Sequence, residues 1–176
     1  MSTIFYTAAT LDGFLADEQD SLEWLFPHDI DMEAASAYPF FVKNVGALAM
    51  GSATYEWVRE HDEGPWPYEQ TTWVFTSRQL AAPDGDIRFA IDVAATHAEM
   101  VAAADGKDVW LVGGGDLVGQ FADLGLVDEI HVQYTPVTLG SGKPLLPRRL
   151  QLELLGVERN RDFVCTRYAV KGPLGG

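Results

Sequence analysis

The stretch Val109-Trp110-Leu111-Val112-Gly113-Gly114-Gly115-Asp116-Leu117 sets the fold class of this chain. Four apolar residues read as a strand that runs straight into three glycines. A short helix is predicted from Asp116 to Leu124, with Gly125 at its C-terminal stop. Glycines at a strand-to-helix junction let the backbone approach a flat ring or a pyrophosphate without side-chain interference. A tight turn that needs positive φ would use the same residues, so the triplet alone leaves both uses open. The spacing is not G-x-G-x-x-G, which argues against an ordinary Rossmann domain.

Two more segments with the same logic lie upstream. Gly46 to Gly51 is a short apolar strand that stops at a glycine, and Ser52-Ala53-Thr54-Tyr55-Glu56-Trp57 opens a helix. The amides and hydroxyls of such a helix start form an anion site, although Ser and Thr there also serve as simple caps. Pro and Trp mark a loop from Gly64 to Pro67, and Thr72 to Phe75 is a strand ending at Thr76-Ser77-Arg78, where a hydroxyl pair and a guanidinium suit a phosphate. Otherwise Arg78 is a solvated surface charge.

The remaining elements follow by pattern. Ile4 to Ala9 is a buried first strand that ends in the turn signal Asp12-Gly13. Ser21 leads a short apolar run that Pro27 interrupts, and a helical segment is predicted from Asp31 towards Lys43, bent or broken near Pro39. Asp92 caps a helix carrying Val93, Met100 and Val101, which ends before Gly106. Ile130, Val132 and Tyr134 alternate with polar residues, and Leu150 to Glu158 and Asp162 to Val170 form a hairpin around Arg159-Asn160-Arg161. Strands alternate with helices for about 125 residues, which requires mostly parallel pairing, and the strand-rich last third suits antiparallel edges. The expectation is one α/β domain over residues 1–176, with no linker or internal repeat.

Composition narrows the partners. The 26 acidic and 12 basic side chains give a formal charge of -14, which would repel a nucleic-acid backbone. No apolar run is long enough to span a bilayer, and the N-terminus reads as a strand, so a cytoplasmic location is expected. Cys165 is the single cysteine and sits among strand residues, so it is assigned to packing, and no ligand spacing suggests a metal.

Taken together, these segments resemble the dihydrofolate-reductase-like superfamily, and more closely the stand-alone relatives of the bacterial riboflavin biosynthesis reductase domain. The resemblance is carried by Thr10-Leu11-Asp12-Gly13-Phe14, Met50-Gly51-Ser52-Ala53-Thr54, Thr76-Ser77-Arg78, Val112-Gly113-Gly114-Gly115, and Leu126 to Ile130 leading to Pro136-Val137-Thr138-Leu139-Gly140-Ser141-Gly142. It implies a three-layer fold with a central mixed, mostly parallel sheet and antiparallel C-terminal strands. It also implies NADPH, with phosphates at Gly51, Ser52 and Thr54, the adenosine 2′-phosphate at Thr76, Ser77 and Arg78, and contacts from Val112, Gly113, Gly114, Gly115, Asp116 and Leu117. Ala8 and Ala9 would lie near the nicotinamide. The relatives often pair through their late strands, so a homodimer is expected.

The resemblance also has limits in the residues. Dihydrofolate reductase has an arginine directly after the glycine of its phosphate motif, whereas Ser52 stands here, so NADP preference rests on Arg78. No first-helix carboxylate aligns with the one that holds the pterin, which argues against true folate reduction. The fused deaminase joins an H-x-E motif to a P-C-x-x-C motif, and with Cys165 as the single cysteine the second cannot occur, so the deaminase half is absent. Hydride transfer to a C=N or C=O carbon of a small heterocycle also needs a proton for the heteroatom. Asp12 and Glu33 are the candidate donors, or an ordered water. His28, His61, His97 and His131 are scattered. Trp24, Phe26, Trp57, Trp66 and Tyr68 are candidates for an apolar floor or lid, and Lys143 and Arg148 for contacts to an anionic substrate. A nucleotide-binding protein without turnover is the alternative from another class.

Overall fold

The computed structural model describes residues 1–61 and 64–175. Among these residues are ten strands and four helices, in the order β1 (Thr3–Thr10), β2 (Phe14–Ala16), α1 (Tyr38–Phe41), β3 (Val45–Gly51), α2 (Ser52–His61), β4 (Thr71–Phe75), β5 (Ile87–Ala90), α3 (Val93–Ala103), β6 (Asp108–Gly113), α4 (Gly115–Asp123), β7 (Glu129–Thr135), β8 (Lys143–Pro144), β9 (Leu150–Asn160) and β10 (Phe163–Pro173). Eight strands form one sheet in the order β5-β4-β3-β6-β1-β7-β10-β9, and β2 pairs with β8 separately. The six strands from β5 to β7 are parallel, and β10 is antiparallel to both β7 and β9. This is the mixed sheet expected from alternating elements followed by a hairpin.

Period-two alternation places the two sides of each central strand in different cores. Phe5 and Ala9 of β1, Leu111 of β6 and Val132 of β7 pack with Met100 of α3 and Val118 and Phe121 of α4. Ile4, Tyr6, Leu48, Met50 and Trp110 face the other way, against Tyr55 of α2 and Phe41 of α1. Helices therefore cover both faces, giving three layers. Side chains as large as Phe5, Trp73 and Phe121 are almost fully buried, each contributing about 1.5–3 kcal/mol of hydrophobic stabilisation.

The predicted helix from Asp31 to Lys43 is corrected by the structure. Residues 32–37 are turns and bends, α1 is one turn long, and Val42–Asn44 form a 3-10 turn. Pro39 fits only at the start of a helix, so α1 begins after Ala37. Upstream, the Asp31 carboxylate accepts the Glu33 amide at 2.9 Å, while Asn160 of β9 bonds the Asp31 amide at 2.8 Å and its carbonyl at 3.0 Å. A side chain brought in from β9 thus supplies partners that a helix would have supplied. The run led by Ser21 forms turns.

Asp92 caps α3 as expected, accepting the Ala95 amide at 3.0 Å. Among the described residues no helix is long and apolar enough to cross a membrane.

Candidate active site

Because β3, β4, β6 and β1 run parallel, their carboxyl ends open on one edge of the sheet, where open α/β sheets take their ligands. Gly51 closes β3 and Gly113 closes β6. A Cβ added to Gly51 would stand 3.9 Å from the Gly113 carbonyl oxygen and 4.0 Å from the Gly114 nitrogen, so these two ends adjoin. Gly113 has φ of 138°, a conformation open to glycine, and the Gly113–Gly114 peptide is cis. Gly114 then caps α4 with no side-chain hydrogen bond, which leaves the first-turn amides of that helix to other partners. Gly115 packs against the main chain of Pro144 and Leu145, where a Cβ would come within 2.4 Å and 2.5 Å of their carbonyl oxygens.

The third segment joins the same edge. Thr76 follows β4, and its hydroxyl accepts the Arg78 amide at 3.0 Å, shaping a tight turn. Ser77 and Arg78 are exposed, while Ser52 and Thr54 at the start of α2 are half-buried. The Arg78 guanidinium donates to the Glu56 carboxylate on α2. That hydrogen bond, and then the charge of Glu56, raise the Arg78 pKa further.

The other predicted contacts divide. Ala9 is buried in the core between the sheet and α3 and α4, whereas Ala8 belongs to the opposite face. The Leu117 side chain is also in the core, which leaves its backbone as the part able to meet a ligand. Asp116 is exposed and pairs with Arg148 at 3.1 Å, and Val112 is half-buried.

On the far side of β1 two loops interlock. The Asp12 carboxylate accepts the Thr10 hydroxyl at 2.6 Å, the Leu139 amide at 3.1 Å and the Gly140 amide at 2.7 Å. These bonds, led by Thr10, hold the Asp12 carboxyl below its ordinary range. At neutral pH Asp12 is therefore an acceptor that ties residues 10–14 to residues 137–140, and the Gly13 carbonyl accepts the Leu145 amide at 2.9 Å. Glu33 is exposed on the turn segment tied to Asn160.

Two cavities flank this framework. One of about 440 Å³ lies between residues 19–26 and α2, walled by Asp20, Glu23, Phe26, Glu56, Trp57 and Glu60. The other, about 220 Å³, is lined by Tyr6, Ser36, Phe41, His131, Gln133 and Cys165. In it the buried Gln133 amide donates to the Tyr6 hydroxyl and to the Ser36 carbonyl at 2.7 Å, and burial raises the Tyr6 phenol pKa.

Of the expected aromatic floor, Phe26 and Trp57 line the larger cavity, with Trp57 stacked on His61 at 4.2 Å. Trp66 and Tyr68 pack into the core instead. Trp24 is half-buried, with its indole nitrogen unpartnered. Lys143 pairs with Asp20 at 3.5 Å, and Arg148 with Asp116 and Asp123, so both cations are already neutralised. His97 bonds Thr3 and His131 bonds Glu129 near the amino ends of β1 and β7. Among the described residues no cluster of His, Cys, Asp or Glu could hold a metal.

Sequence reasoning gave no role to Glu56 or Gln133. Glu56 could have been noticed as a carboxylate one turn inside a proposed anion-binding helix. Nothing local marks Gln133, whose partners are remote in sequence.

Residues 2–165 match the model of the RibD C-terminal domain. The chain belongs to the RibD C-terminal domain family. This is the family of the reductase domain of riboflavin biosynthesis. The chain is 31% identical over 170 residues to the uncharacterized protein YwjB of Bacillus subtilis (strain 168), covering 94% of this chain and 96% of that one. It is 28% identical over 162 residues to the uncharacterized protein YyaP of the same organism, covering 84% and 83%. Among solved structures, a Shewanella sp. PV-4 protein named for riboflavin biosynthesis superposes with a TM-score of 0.82 at 24% identity, covering 97% of this chain and 99% of that one. The diaminohydroxyphosphoribosylaminopyrimidine deaminase/5-amino-6-(5-phosphoribosylamino)uracil reductase of Thermotoga maritima superposes with a TM-score of 0.63 at 16% identity. The superposition covers 96% of this chain and 56% of the Thermotoga chain. Both structural likenesses speak to the fold.

Proposed function

We propose that this chain is an NADPH-dependent oxidoreductase that reduces a C=N or C=O carbon of a small heterocycle of the pyrimidine or pteridine kind. The observation that carries the reading is the convergence of Gly51 to Thr54, Thr76 to Arg78 and Gly113 to Leu117 at the carboxyl ends of the adjacent strands β3, β4 and β6. Such an edge offers helix-start amides, hydroxyls and one guanidinium to a dinucleotide, with glycines where main chain must come close. Membership of the RibD C-terminal domain family supports the same reaction class.

Bound NADPH would supply the hydride. The chain's part is to hold the pyrophosphate on Gly51, Ser52 and Thr54 and the 2′-phosphate on Thr76, Ser77 and Arg78. It would also present the nicotinamide beside Ala8 and the Gly113 to Gly115 turn, with Ala9 held in the core behind them. Asp12 is assigned to positioning the loops at the mouth of the site, since its carboxylate is held ionised by three donors. Glu33 is solvent-exposed, so the proton for the heteroatom is assigned to water.

The test is a panel of pyrimidines and pteridines offered with NADPH, followed by loss of nicotinamide absorbance. Turnover that needs more NADPH to reach half its maximum in Gly51→Ala or Arg78→Ala supports the assignment. NADPH binding with no turnover across the panel would instead favour a nucleotide-binding protein without catalysis.

A further inference from the structure

We propose that Glu56 sets the coenzyme preference of this chain by competing with the 2′-phosphate for Arg78. The inference rests on the dinucleotide lying along the sheet edge described above. The guanidinium best placed for a 2′-phosphate is already in an ion pair with Glu56, one turn inside α2. The neighbouring cation, Arg59, is engaged elsewhere, donating to the Ala81 carbonyl at 3.0 Å and lying over the Tyr55 ring. A 2′-phosphate must therefore displace a carboxylate from Arg78 and then sit beside that carboxylate. Both partners of the pair are partly exposed, at 52% and 41%, so the exchange is accessible, but it removes much of the advantage that Arg78 would give NADPH.

NADH meets no such conflict. A carboxylate near an adenosine ribose accepts hydrogen bonds from a free 2′-hydroxyl, the arrangement by which NAD sites use Asp or Glu. The pair therefore serves both coenzymes: Arg78 for the phosphate and Glu56 for the hydroxyl. The chain binds NADH comparably to NADPH rather than rejecting it.

The experiment is titration of the full chain with NADPH and with NADH, following nicotinamide fluorescence, in the wild type, Glu56→Gln, Glu56→Asp, Arg78→Ala and Glu99→Gln. Glu99 is exposed on α3, across the sheet from α2, and its substitution removes one unit of global charge without touching the site. Glu56→Gln is expected to raise the preference for NADPH over NADH about five- to tenfold, the reach of one exposed charge acting on a dianion. Glu56→Asp keeps the carboxylate and stays within about twofold of the wild type on the same scale. Arg78→Ala shifts the preference towards NADH, and Glu99→Gln leaves it unchanged. Binding of both nucleotides with no change in preference in Glu56→Gln would overturn the inference and leave the nucleotide site standing. So would an equal change in Glu99→Gln, or a change in Arg78→Ala alone. Failure of the folded wild type to bind either nucleotide would overturn the site itself, and the inference with it.

Discussion

Replacing Gly115 with alanine puts a methyl group where two backbone carbonyls already stand. The added Cβ meets the Pro144 oxygen at 2.4 Å and the Leu145 oxygen at 2.5 Å. Carbon and carbonyl oxygen settle no closer than about 3.3 Å. Neither oxygen ends a flexible side chain, so relief requires moving α4 or the main chain at 144–145. The Leu145 amide is bonded to the Gly13 carbonyl, so that movement also disturbs the loop after β1. Overpacking of this kind costs about 1–3 kcal/mol, and alanine's helix preference over glycine offsets at most about 1 kcal/mol. A net loss of about 1–2 kcal/mol corresponds to a fall in Tm of about 2–8 °C for a chain of this size. Urea unfolding followed by tryptophan fluorescence measures it, with Gly51→Ala as companion. At Gly51 the added Cβ makes only an ordinary 3.9 Å contact, so stability stays within about 0.5 kcal/mol of the wild type. Its methyl nevertheless projects beside the Gly113–Gly114 peptide and weakens NADPH binding. A Gly115→Ala protein as stable as the wild type would refute the packing reasoning.

Three further outcomes are expected. Asp12→Asn frees the 137–140 segment, seen as faster hydrogen exchange at the Leu139 and Gly140 amides. Because the folded Asp12 pKa lies below the usual carboxyl value of 3.8, its stabilisation is present above that value and is lost as pH falls through the folded one, and the variant lacks this loss. His97 is pushed below 6.5 by burial, against an opposing pull from Asp128, so the unfolded chain takes up its proton first. Stability should fall as pH drops below about 6.5, levelling once the folded imidazole titrates, and His97→Gln should remove that component from the pH dependence of the urea midpoint. The homodimer is proposed to form on the exposed apolar side chains of β9 and β10, among them Leu154, Leu155, Val157 and Val164. Light scattering should return twice the 19.3 kDa chain mass for the wild type and the single mass for Val157→Lys.

The parts of the fold that could be read from sequence are those governed by local pattern. Strands ending in glycine at Gly51 and Gly113, the Asp92 cap and the late hairpin each follow from residues within a few positions of one another. The parts that could not be read depend on distant partners. Asn160 reaches 129 residues back to Asp31 and replaces a predicted helix with turns. Asp12 looks like a turn residue or an acid until the Leu139 and Gly140 amides, 127 and 128 residues away, converge on it. Trp66 and Tyr68, read as part of a lid, are drawn into the core by Tyr55 and Trp110. The strand Ile87–Ala90 was missed because its pattern is short and half-exposed and its pairing lies with β4. At the candidate site, the place of the three glycine and hydroxyl segments at strand ends was legible, but the Arg78–Glu56 pair, 22 residues apart, needed the juxtaposition of α2 with the end of β4.

Mapping amide chemical shifts while NADP⁺ is added to the labelled protein tests the central claim most directly. The account predicts that the perturbed amides cluster at Gly51 to Thr54, Thr76 to Arg78 and Gly113 to Leu117, all on the carboxyl edge of the sheet. No perturbation at saturating nucleotide, or a cluster centred on other residues, would contradict it.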